Sequence, residues 1–276
     1  MTYKLIKYVA SKEYAECFLS GKLYMNTIGF FINNGFEDQK DAFEGTFCTV
    51  ENSKFPILPQ VVRSMQASDL TFRAVGYQYC NVLCFFKVGV TEENGLCTLH
   101  YNPKMKKFGE YVIIVKNETE LINRIGRAVK KLGYKYICSK VKYHTPKKDG
   151  ELIRDGHVVE FTTDFEIQFN KIPKEAVSRE YDCFDKTSNM SSQNEWRVAL
   201  YRGEKTIDAF VLDVGDLHDI CIAVKSENLV EGMKSAYGKD TPVYLQEGYF
   251  GNINKKDFRM LFYELGDHKG TMLMRI

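Results

Sequence analysis

No apolar run in this chain is longer than a strand: the longest, such as Tyr111 to Val115 and Ala209 to Leu212, stop far short of the roughly 20 residues that cross a bilayer. The core must therefore be assembled from many short pieces. Runs rich in β-branched and aromatic residues recur at 3–9, 23–26, 45–50, 81–88, 110–116, 134–143, 158–169, 196–202, 207–212 and 219–225, and each reads as a strand. Residues 51–80 are mixed and give no clear pattern. Strands outnumber helices and their order is irregular. That favours an α+β fold of mixed, largely antiparallel sheets with flanking helices over a doubly wound parallel sheet. At 276 residues and 44% hydrophobic content the chain can bury a full core. No internal repeat, linker or low-complexity stretch divides it, so 1–276 reads as a single domain.

Local signals punctuate these runs. Ser11 stands where an N-cap belongs, before Tyr14, Phe18 and Leu19 on one helical face, and Gly21 is the stop. Thr27 is placed to cap a turn holding Ile28, Phe30, Phe31 and Ile32. The clearest helix begins at Asn117, puts Leu121, Ile122, Ile125, Val129 and Leu132 on one face, and ends at Gly133. A later helix, capped by Ser226, runs to about Tyr237. The 8 cysteines are scattered through apolar text and read as reduced core residues, and only Cys80 and Cys84 lie close together. The N-terminal MTYKLIKYVASKEY lacks the apolar core and cleavage site of a secretory signal. These features predict a soluble, cytoplasmic protein without a membrane partner.

The net charge of +2 conceals an asymmetry, because residues 104–148 carry 13 basic and 3 acidic side chains. Lys106, Lys107, Arg124, Arg127, Lys131 and Lys142 are interleaved there with Phe108, Tyr111, Tyr134, Tyr136 and Tyr143. Cations for phosphates and flat rings for bases suit a nucleic-acid surface, while the same lysines would equally solvate a helix and a hairpin.

Two distant segments carry the chemistry. The first holds Gly21-x-Leu23-Tyr24-Met25-Asn26-Thr27 and then Asp41-x-x-Glu44-Gly45. The second holds Phe184-x-Lys186 and Gln193-x-Glu195-Trp196-Arg197. Together with Lys7-Tyr8 in the first strand, this pattern resembles a widespread family of bacterial and phage proteins. Its layout is similar to the ADP-ribosyltransferase-like proteins, among them bacterial toxins and phage-defence enzymes. The resemblance implies a split-sheet fold and NAD as substrate, with no metal. It implies Glu195 as the catalytic carboxylate and Gln193 as its helper. Lys7, Tyr8, Tyr24, Asn26, Thr27, Phe31 and Arg197 would line the NAD pocket, with Asp41 and Glu44 shaping the cleft. The first strand carries Lys7-Tyr8 where the better-known transferase subclasses carry Arg or His. An RNA or DNA acceptor and a neutralising antitoxin-type protein are the partners it implies.

The chemistry explains the carboxylate. Breaking the nicotinamide–ribose bond builds positive charge on the ribose, and a fixed anion stabilises it. Read without the resemblance, Gln193-Asn-Glu195-Trp-Arg197 is equally a surface strand with one Glu–Arg pair. Lys186 and Arg197 are either phosphate ligands or solvated cations. Two further functions remain open: a non-enzymatic nucleic-acid binder using 104–148, and a metal-dependent nuclease using Asp41, Glu44 and Glu195. His100, His144, His157, His218 and His268 lack metal spacing, and no Walker A loop or dinucleotide-binding glycine motif is present.

Overall fold

The computed structural model describes residues 2–33, 44, 48–51, 69–93, 96–144, 158–161, 177–180, 183–237, 250–265 and 270–275. Asp41 and the predicted strand beyond residue 161 lie outside them. Strand β1 (Thr2–Val9) leads into helix α1 (Lys12–Leu19), whose N-cap Ser11 accepts from the Tyr14 amide as expected. Gly21 ends the turn at φ +85°, and a Cβ there would sit 1.9 Å from the Gly215 carbonyl oxygen. The position thus demands glycine twice over. Strand β2 (Lys22–Thr27) then meets α2 (Ile28–Asn33), where Thr27 Oγ1 accepts from the Phe30 amide at 3.2 Å.

The next elements are β3 (Cys48–Glu51), β4 (Asp69–Ala74), β5 (Asn81–Glu93), β6 (Leu96–His100), β7 (Tyr111–Val115) and α3 (Glu118–Lys131). They are followed by β8 (Lys135–Lys140), β9 (Lys142–His144), β10 (Val158–Phe161), β11 (Val177–Glu180), β12 (Asp185–Thr187) and β13 (Glu195–Tyr201). The last are β14 (Phe210–Asp213), β15 (Cys221–Lys225), α4 (Leu229–Ala236), β16 (Phe250–Gly251), α5 (Lys255–Leu265) and β17 (Gly270–Arg275). Short 3-10 turns at Pro103–Phe108 and Ser188–Gln193 lie between β6 and β7 and between β12 and β13.

The main sheet runs β15-β7-β1-β5-β13-β8-β16, every neighbouring pair antiparallel. The expected α+β class, with largely antiparallel sheet, is what the chain adopts. Strand β5 changes partner along its length. Its Phe86–Val90 half pairs β1, whereas Asn81 and Val82 pair with Thr27 and Asn26 of β2. In the gap between them Lys7 Nζ donates to the Cys84 carbonyl at 3.0 Å. A second antiparallel sheet is ordered β10-β17-β4-β3-β11, and β9 pairs in parallel with β12.

Strand alternation divides the main sheet's side chains between two faces. Leu5, Leu83, Phe85, Ile113, Trp196 and Val198 form one, buried with α1 and with Leu121, Ile125 and Val129 of α3. Ile6, Tyr8, Val88, Val112 and Ile114 form the other, beneath Met105 and beneath Leu229 and Met233 of α4. Along β13 this leaves Glu195 and Arg197 on the face opposite Trp196 and Val198.

Some expectations are corrected. Leu132 is 47% exposed, because it forms the C-cap of α3 after the last packed turn. Ser226 caps no helix: its Oγ donates to the Gly109 carbonyl at 2.7 Å, and α4 begins only at Leu229. Cys17 is exposed, whereas Cys80, Cys138, Cys183 and Cys221 are buried thiols. Strand β14 starts at Phe210 rather than 207, and Val141 interrupts the predicted strand 134–143. No helix among the described residues is long and apolar enough to cross a membrane.

Candidate functional site

The 3-10 turn Ser188–Gln193 ends at Asn194, a non-glycine residue at φ 43°. Asparagine tolerates this left-handed geometry better than most side chains, and here it is tied down. Its side chain donates to the Lys87 carbonyl at 2.9 Å and its own carbonyl accepts from the Lys87 amide at 2.8 Å. The turn delivers Gln193 and Glu195 to one lysine. Lys186 Nζ donates to Gln193 Oε1 at 3.2 Å and lies 2.9 Å from Glu195 Oε2.

Arg197, two residues on, closes the cluster. Its Nε and Nη2 reach Glu195 Oε1 at 2.8 and 2.7 Å, and its Nη1 bonds Glu44 and the Cys183 carbonyl. Glu44 Oε2 stands 3.7 Å from Lys186 Nζ. Two carboxylates and two cations are thus interleaved, with side-chain exposures of 1% for Glu44 and Arg197, 5% for Glu195 and 6% for Lys186. The Glu195 amide donates to Tyr143 Oη at 2.8 Å, placing the cluster under β9.

Burial alone would push the Glu195 carboxyl up, but Arg197 and then Lys186 overcome it and hold it down at about 2. Burial likewise opposes the charges on Lys186 and Arg197, yet the facing carboxylates leave both above their ordinary values. Burial, with Glu195 nearby, pushes the Cys84 thiol up to about 12, so this cysteine is no thiolate. Burial also lowers the Lys7 ammonium. The Glu–Arg pair read from the sequence therefore exists, but it is buried beneath β9 rather than solvated on a surface strand. Lys186 and Arg197 are neither solvated nor open to a phosphate. Glu44 and Glu195 already have their charge matched by protein cations.

Beside the cluster, on the same face of the sheet, opens a pocket of about 320 Å³. Tyr8, Phe86 and Tyr101 supply rings, Met105 an apolar wall, and Gln193 a polar edge. Tyr8 meets Phe86 edge-on at 5.5 Å. Gln193 belongs to both pocket and cluster, and Phe86 is the register partner of Glu195.

The remaining candidates are placed as follows. Thr27 is fully buried, donating to the Ile207 carbonyl at 3.1 Å while capping α2. Tyr24 is 56% exposed and donates to Asn26 Oδ1. Phe31 packs edge-on against Phe30 at 5.4 Å. The structure therefore joins Glu44, Lys186, Gln193, Glu195 and Arg197, adds Tyr8 through the pocket, and gives Thr27 and Phe31 local roles.

The basic segment is dispersed by the fold. The exposed Lys106 and Lys107 lie on the Pro103–Phe108 turn, packed through Met105 on one face of the sheet. Arg124, Arg127 and Lys131 lie on α3, packed on the other. Arg124 is held by Glu120 at 2.9 Å and by Asp219, and Arg127 by Glu120 at 2.9 Å. Lys142 is exposed on β9. Residues adjacent in sequence thus form no single stripe. Sequence reasoning passed over Asn194, Phe86 and Tyr101, and took Tyr143 only as a ring of the basic segment. Only the position of Asn194 between Gln193 and Glu195 carried a usable signal. No family model, curated protein or solved structure matches the chain.

Proposed function

We propose that the chain is an ADP-ribosyltransferase-like enzyme that takes NAD and passes ADP-ribose to a macromolecular acceptor, RNA or DNA, in a toxin, phage-defence or phage-modifier role. One observation carries the reading. Glu44, Lys186, Gln193, Glu195 and Arg197, drawn from two segments some 150 residues apart, converge by direct hydrogen bonds and ion pairs beside a pocket. Glu195 is then an anion at neutral pH, of the kind an oxocarbenium-like ribose needs. Gln193, which touches both the carboxylate's lysine and the pocket, connects it to a bound ligand.

A second reading, binding without turnover, is favoured by the burial of Glu195 and by the cations on both its oxygens. Nicotinamide release separates the two. The purified chain is incubated with NAD, alone and with RNA or single-stranded DNA, beside Glu195→Gln. This change keeps the side chain's shape and some of its hydrogen bonds, whereas Ala would leave Arg197 and Lys186 with Glu44 as their shared carboxylate and a cavity between them. The transferase reading expects release that is lost in a folded Glu195→Gln protein. A folded wild-type chain that releases nothing under any condition leaves the binding reading.

A further inference from the structure

We propose that the pocket bounded by Tyr8, Phe86, Tyr101, Met105 and Gln193 binds a neutral planar heteroaromatic ring carrying a hydrogen-bond acceptor, the size of a nucleobase or nicotinamide, and that Tyr8 Oη reads the acceptor. The inference stands whether or not Glu195 turns NAD over. Tyr8 is buried to 6% exposure, it lines the pocket, and its hydroxyl has no hydrogen-bond partner among the described residues. A buried hydroxyl left unmatched is costly, and the residue that carries it borders the pocket.

The hydroxyl's role follows from its surroundings. Burial, and then Tyr101, push the Tyr8 phenol up to about 12, so at neutral pH it keeps its proton and donates. The ligand must supply the acceptor. Three rings, Ile6, Val88 and the Met105 thioether form the apolar part of the surface, with Phe86 also held against Phe108 at 5.3 Å, which suits the faces and edges of a flat ring.

Size and charge narrow the class. A volume of about 320 Å³ lies at the small end of the roughly 300–1,000 Å³ range of ligand pockets and suits a single ring system with little attached. Among the described residues no carboxylate lines the pocket, whereas Lys87 and the exposed His100 do, so the walls favour a neutral ring and tolerate an anionic substituent at the mouth. His100 is positioned there by its Nε2 contact with Thr91 Oγ1 at 2.8 Å.

Calorimetric titration of the full chain with AMP, GMP, CMP, UMP and free nicotinamide tests this and tells base from nicotinamide. At least one ring is expected to bind. Tyr8→Phe, which removes one hydroxyl and keeps the ring, should weaken it about tenfold. Ser192→Trp, at an exposed position on the rim, should block entry with the fold intact by circular dichroism. No binding of any probe at millimolar concentration overturns the inference, and so does binding that neither substitution alters. Ring binding without nicotinamide release retains this site and removes the transferase. Release without ring binding, with an unchanged KM in Tyr8→Phe, does the reverse.

Discussion

Replacing Arg197 by Met removes one of the two cations that balance Glu44 and Glu195, and the structure sets the scale of the damage. The pair at 2.7 Å is worth about 6 kcal/mol gross at an effective dielectric constant of about 20, most of it offset by the desolvation the charges underwent on burial. Its loss leaves two buried carboxylates with Lys186 as their one ion-pair partner among the described residues, and the Cys183 carbonyl without its guanidinium donor. Removing one partner of a buried pair costs about 3–5 kcal/mol, because the survivor stays charged in a poorly solvated site. At roughly 2 °C per kcal/mol for a chain of this size, the midpoint should fall by about 6–10 °C. The double change Arg197→Met with Glu195→Leu leaves Glu44 facing Lys186, a balanced pair, and should lie within about 1–2 kcal/mol of wild type. Urea unfolding followed by circular dichroism and by the fluorescence of the single tryptophan, Trp196, measures both. A single variant costing under about 1 kcal/mol, or a double variant costing the sum of the two single changes, would refute the reasoning.

Two further outcomes follow from other parts of the fold. Glu118, buried at the start of α3 and accepting from the Leu5 amide at 3.1 Å, has its carboxyl pushed up to about 7, chiefly by burial and against the pull of Lys4. A raised folded-state pKa means stability is fully present below about pH 4.5 and lost as pH rises to about 7, a change of about 3 kcal/mol. Glu118→Gln should abolish that slope in pH-dependent urea titrations, and an unchanged slope would assign it to other groups. Gly21→Ala should destabilise by at least about 2 kcal/mol, since it combines a left-handed backbone with a Cβ placed 1.9 Å from a carbonyl oxygen. A midpoint equal to wild type would show that the Gly215 loop yields.

What the sequence determined by itself was local. Short β-branched runs and punctuating caps were enough for the α+β class and for α1 and α3, because caps, stops and helical periodicity act within a few residues. Ser11, Asn117, Gly21 and Gly133 each behave as their residue type dictates. The motif residues Glu44, Lys186, Gln193, Glu195 and Arg197 were also legible, as short patterns with a chemical use. Their environment was not. Whether Glu195 and Arg197 meet water or each other depends on which face of β13 is covered, and that was decided by strand β9, Lys186 and a distant Glu44 closing over them. The basic segment illustrates the same limit, since the sheet passes between the Pro103–Phe108 turn and α3 and puts sequence neighbours on opposite sides. The pocket was least legible of all. Tyr8, Phe86, Tyr101 and Gln193 come from four separate parts of the chain, and only tertiary packing creates the space between them. Spacing along a chain governs contacts within a helix or strand, whereas a site's solvation is set by what packs over it.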